Sequence, residues 1–113
     1  MFPSGLWRAY WEQEGWGRQE MFELHLAFDQ GTVRGFGQDM VGRFIFTGQY
    51  DEQGGVVLTK QYLGRHSVRY VGRSTGEGII QGIWEIPPHW SGPFAMAPVQ
   101  PDPAPDQPIE EIR

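Results

Sequence analysis

From Gly5 to Met96 the chain divides into eight short runs, apolar or alternating in polarity, joined by Gly, Asp, Gln and Pro. Runs of about five to ten residues that alternate along their length mark half-buried strands. In order they give an antiparallel meander, whose first and last strands carry unpaired backbone edges. Closing the sheet on itself removes both edges at once. The sequence therefore predicts an all-β fold: one small antiparallel up-and-down β-barrel of about eight strands. A flattened barrel or two packed sheets is the alternative.

A chain of 113 residues is long enough for one domain with one core. It has no cysteine, so disulfides, thiol catalysis and cysteine-ligated zinc are excluded, and a reducing, cytoplasmic setting is expected. Met1 to Tyr10 lacks the basic-then-apolar order of a signal peptide, and no run approaches the roughly 20 apolar residues that span a bilayer. No membrane association is expected. Residues 1–97 carry 8 basic and 10 acidic side chains, whereas 98–113 carry Arg113 against Asp102, Asp106, Glu110 and Glu111. Neither part has the basic excess that phosphate neutralisation requires, so no nucleic-acid partner is expected. The expected organisation is a barrel over 1–97 and a Pro-rich, acidic, disordered tail over 98–113.

The clearest strand is Glu20 to Asp29, with Phe22, Leu24, Leu26 and Phe28 on one face and Glu23, His25 and Ala27 on the other. Asp29-Gln30-Gly31, Asp51 to Gly55, Leu63 to His66 and Thr75 to Gly78 read as turns, and Gln13 to Arg18 as a longer loop. Pro87-Pro88 ends the seventh run, because proline cannot donate to a central ladder. The expected core is Phe22, Leu24, Leu26, Phe28, Phe44, Phe46, Val56, Leu58, Val68, Tyr70, Ile80 and Trp84. Glycine, at 16 residues, is about twice as frequent as usual and is interleaved with aromatic and branched residues. Those glycines predict bends and bulges in a strongly coiled sheet.

Gly5-Leu6-Trp7, opening the first strand before a series of short hairpins, resembles the Gly-x-Trp start of the calycins. That superfamily includes lipocalins, fatty-acid-binding proteins and avidins. The resemblance implies a calycin-like, lipocalin- or avidin-type barrel and gives Trp7 the role of packing across one barrel end. It carries no ligand identity, since the second lipocalin motif, of Thr-Asp-Tyr type, is absent.

Catalytic chemistry finds little support. His25, His66 and His89 fall on a strand, a turn and a Pro-rich loop without short ligand spacing, so no metal site is expected. No phosphate loop or other cofactor motif is present. Ser4, Ser67, Ser74 and Ser91 lack a nucleophile-elbow context. An enzyme would need members of the set Glu23, His25, Asp39, His66, Glu85 and His89 to converge in one cleft. No catalytic residue is assigned, and a small hydrolytic or metal-dependent enzyme is the least favoured reading.

Cations among aromatics are the more informative set. Arg34, Arg43, Lys60, Arg69 and Arg73 lie on predicted strands beside Tyr62, Tyr70 and Trp84. With Trp7 they are the ligand-binding candidates, because an Arg among rings can hold an anionic group while the rings cover its apolar body. The competing reading puts the apolar parity in the core and the cationic parity in water. Trp16 and Trp90, in loops, are candidates either for capping a barrel mouth or for anchoring a protein partner. The function expected is a non-enzymatic binding module, with a small amphipathic or anionic molecule inside the barrel. A filled barrel serving a protein partner or a homo-oligomer is the alternative.

Overall fold

A computed structural model describes residues 2–99. Eight strands follow one another: β1 (Gly5–Gln13), β2 (Gly17–Asp29), β3 (Thr32–Gln38), β4 (Arg43–Tyr50), β5 (Gly55–Tyr62), β6 (Ser67–Ser74), β7 (Ile80–Ile86) and β8 (Trp90–Pro98). Each pairs antiparallel with the next, and β8 returns to pair with β1, so the sheet is a closed barrel. This is the fold that the alternating runs predict, and it is consistent with calycin-type architecture. Among the described residues no helix is long and apolar enough to cross a membrane. Of the expected tail, Pro98 is the last residue of β8, and the Val99 N–H donates to the Leu6 carbonyl at 2.9 Å. Residues 100–113 lie outside the described residues.

The inward parity fills the barrel. Leu24 and Leu26 of β2, Val33 of β3, Phe44 and Phe46 of β4, Val56 and Leu58 of β5, Tyr70 of β6, Ile80 of β7 and Met96 of β8 are all buried. Burying one such side chain contributes about 2 kcal/mol, so this layer is the main source of stability. Eight strands close tightly only if some inward positions carry no side chain. At Gly82 an added Cβ would overlap the Val71 carbonyl and stand 2.5 Å from the Gly72 Cα. At Gly48 it would overlap the Val57 carbonyl in the same way. These inward strand glycines thus serve close strand approach, whereas Gly15, Gly64 and Gly76 have positive φ and lie in turns.

One expected core residue is misplaced by simple alternation. Phe22 is 56% exposed, and Met21 takes the inward position instead. The ladder shows why: Phe22 pairs with Gln38 but His25 pairs with Phe36, so Glu23 and Leu24 together oppose Gly37. Glu23 sits at φ 53°, the extra residue of a β-bulge. Its carboxylate Oε1 accepts from Gln38 Nε2 at 2.8 Å, tying the bulge to β3. The long loop expected over Gln13–Arg18 is also shorter than read, since β1 reaches Gln13 and β2 starts at Gly17. Trp90, read as a loop residue, opens β8.

Aromatic rings close one end of the barrel. Trp7 is buried there, with Phe28 at 5.3 Å and Phe2 at 6.3 Å between ring centroids. Tyr50 stands edge-on to both Phe2 and Phe28. The Trp7 Nε1–H donates to the Pro3 carbonyl at 2.9 Å, which fastens the N-terminal segment across the opening. This end is plugged. The other end is open.

Candidate binding site at the open end of the barrel

The β3–β4 connection dips into the open end. Asp39 and Gly42 exchange backbone hydrogen bonds at 3.1 Å, making a tight turn, and the Val41 N–H donates to Asp39 Oδ1 at 2.9 Å. The other carboxylate oxygen, Oδ2, points inward and accepts three bonds. Lys60 Nζ donates at 2.6 Å, the Tyr62 hydroxyl at 2.7 Å and the Trp11 Nε1–H at 3.1 Å. Lys60 Nζ also donates to the Tyr70 hydroxyl oxygen at 3.2 Å. The ammonium stands 4.3 Å from the Phe44 ring centroid and 4.8 Å from that of Tyr62.

Lys60 is the only lysine in the chain, and it is wholly buried. It occupies the inward parity of β5 with Val56, Leu58 and Tyr62. The reading that placed every strand cation in water fails here. A buried ammonium without a counter-ion would be costly, and Asp39 offsets part of that cost. Burial pushes the Lys60 ammonium down, the Asp39 charge and hydrogen bond pull it partly back, and the balance leaves it at about 8. Burial raises the Asp39 carboxyl, but the Lys60 charge and the bonds from Lys60, Tyr62 and Val41 outweigh it and hold the group below its ordinary value. Tyr62 is raised, by burial and then by its bond to the Asp39 carboxylate. Tyr70 is raised by burial and by the Asp39 charge. At neutral pH the cluster is therefore an ion pair with no net charge and two protonated phenols.

Above this cluster lies a recess of about 410 Å3. Its walls are Trp11, Val41, Tyr62, Val68, Tyr70, Trp84, Ile86 and Trp90, with Gln13 and His66 also facing it. Trp11 and Trp84 meet edge to face at 5.9 Å, and the Trp84 Nε1–H is spent on the Glu12 carbonyl at 2.8 Å. Trp90 is 55% exposed. The size and the apolar walls over a few buried polar groups are those of a small-molecule site. A broader depression, of about 820 Å3, crosses the solvent side of β2 to β5. Among the described residues, the buried charged side chains Asp39 and Lys60 belong to the open-end cluster and do not line it.

Of the ligand-binding candidates read from the sequence, Tyr62, Tyr70 and Trp84 line the recess, and Lys60 lies in the cluster with Tyr62 and Tyr70. Trp7 plugs the opposite end. Arg34, Arg43, Arg69 and Arg73 are exposed on the outer face of the sheet. Trp90 lines the recess, whereas Trp16 projects from the β1–β2 turn and is 63% exposed. Glu23 and His25 lie on the outer side of β2, His25 stacked on Phe36 at 5.0 Å. His66 faces the recess against Tyr62, and His89 lies in the β7–β8 turn. Among the described residues no group of three metal-ligating side chains forms.

Asp39 and Trp11 are the cluster members that the sequence reading did not assign. One signal was available for their neighbour: a lone lysine two residues from Leu58 and two from Tyr62, on a strand whose alternate residues are apolar. No protein-family model and no curated protein matches the chain.

Proposed function

We propose that this protein is a non-enzymatic binding module whose ligand is a small, largely apolar molecule held in the open end of the barrel. The observation that carries the reading is the aromatic-walled recess above a buried, charge-paired polar cluster. The barrel interior below is filled with side chains, so the ligand occupies the mouth and not the centre. Tyr62, Tyr70, Trp84 and Trp90 are the contact residues, with Trp11, Val68 and Ile86 completing the walls. The strand arginines point outward and Lys60 is paired with Asp39, which argues against an anionic ligand.

The test uses a set of neutral aromatic fragments and thermal unfolding of the full chain. Members of the set should raise the melting temperature of the wild type and leave Ile86→Trp, which fills the recess, unchanged. A set that stabilises neither protein, or both alike, contradicts the proposal.

A second reading rests on the outer face of β5 to β8. Val57, Val71, Ile83 and Pro93 pair in one row across four strands, and the first three are each more than a third exposed. A row of this kind suits a protein partner or a second copy. Sedimentation at rising concentration separates the readings: association abolished by Ile83→Lys supports the surface role, and a monomer throughout removes self-association.

A further inference from the structure

The chemistry of the recess defines its ligand more narrowly than its apolar walls do. The inference rests on the open end being the binding site. Each buried polar side chain lining the recess can be followed to its partners. Tyr62 spends its hydroxyl proton on Asp39, Trp11 its indole N–H on Asp39, and Trp84 its indole N–H on the Glu12 carbonyl. Tyr70 differs. Its hydroxyl oxygen accepts from Lys60 Nζ, but among the described residues no acceptor takes its proton. Tyr70 is 2% exposed, so bulk water does not take that proton freely.

Two consequences follow. A buried O–H donor without an acceptor is costly, and a ligand atom that accepts from it recovers that cost. The Lys60 ammonium, by donating to the same oxygen, polarises the hydroxyl and makes it a stronger donor. Charge restricts the acceptor further. Lys60 and Asp39 neutralise each other at 2.6 Å, so a carboxylate reaching Tyr70 would meet Asp39 with no spare cation in the buried cluster. An ammonium would meet Lys60 with no spare anion. The favoured group is neutral.

We infer that the recess takes a neutral, planar aromatic molecule bearing an uncharged acceptor oxygen, a ketone or similar carbonyl, which accepts the Tyr70 hydroxyl proton while its ring packs between Trp11, Trp84 and Trp90. No covalent step is involved. Tyr70 is the specificity-determining residue, and the tryptophans supply the apolar contact.

The experiment compares acetophenone with α-methylstyrene, in which a C=CH2 group replaces C=O, on the wild type and on Tyr70→Phe. Affinities are read by NMR titration of the tryptophan indole signals. The loss of one hydrogen bond from a polarised donor should weaken acetophenone about tenfold in Tyr70→Phe and leave α-methylstyrene unchanged or slightly tighter. Equal effects of the variant on both probes overturn the inference and leave the open end as the binding site. Failure of both probes to bind the wild type overturns that site as well. Should Tyr70→Phe not fold, the carbonyl stretch of 13C-labelled acetophenone bound to the wild type decides. A frequency below its value in hexane supports the bond, and a frequency equal to it overturns the bond.

Discussion

Lys60 shows how one side chain can organise a barrel end. Its ammonium is held by Asp39, and Asp39 in turn holds Tyr62 and Trp11, so strands β1 and β5 and the β3–β4 turn meet at one carboxylate oxygen. Removing one partner of a buried pair strands the other, so Lys60→Met should cost about 4 kcal/mol in denaturant unfolding. Tyr62→Phe, which removes one bond to a charged acceptor, should cost about 2 kcal/mol. The single lysine makes titration unambiguous: the 15N signal of Nζ should titrate near pH 8 instead of at the ordinary 10.5. Between those values the unfolded chain holds a proton that the folded chain has released, so this group makes the fold gain stability as pH rises. Asp39 acts in the same direction in an acidic window. Its depressed folded value means that its contribution is complete above 3.8 and is lost as pH falls through that depressed value. Asp39→Asn should be less stable at neutral pH and should lose less stability on acidification, measured by unfolding at pH 7 and pH 3. None of this pairing was legible in the sequence. Lys60 and Asp39 are separated by a strand and two turns, and no local pattern announces that they meet.

The strands themselves were legible, because a period of two residues is a local property and needs no knowledge of partners. The parity of the first half of β2 was not. A bulge adds one residue without disturbing the look of the alternation, and only the ladder with β3 reveals that Glu23 is the extra one. Its consequence is testable by paired substitutions. Phe22→Lys, on the outer face, should change stability by less than about 0.5 kcal/mol. Met21→Lys, which places a second ammonium inside the barrel without a partner, should prevent stable folding, seen as loss of the dispersed NMR spectrum. The inward glycines set a similar limit. Gly82→Ala must push β7 away from the Val71 carbonyl and should cost about 2 kcal/mol in chemical unfolding, although it adds a single methyl group.

For the molecule as a whole, closure divides the two ends into different tasks. One end is sealed by Trp7, Phe2, Phe28 and Tyr50, and the other is left open above the Lys60–Asp39 pair. The sequence reading anticipated the closed barrel, and it listed five of the residues that meet at the open end: Lys60, Tyr62, Tyr70, Trp84 and Trp90. It could not tell them from the outward arginines, because register around a closed sheet fixes which parity faces in. The chain's tryptophans give a direct measurement of the central claim. Trp11, Trp84 and Trp90 line the recess, Trp7 lies at the sealed end and Trp16 in the β1–β2 turn. Each carries one indole N–H visible in a 1H–15N spectrum. Titration with acetophenone should move the signals of Trp11, Trp84 and Trp90 along one saturable curve and leave those of Trp7 and Trp16 in place. Saturable movement of Trp7 or Trp16 alone, or no saturable movement of any indole, would contradict a binding site at the open end of the barrel.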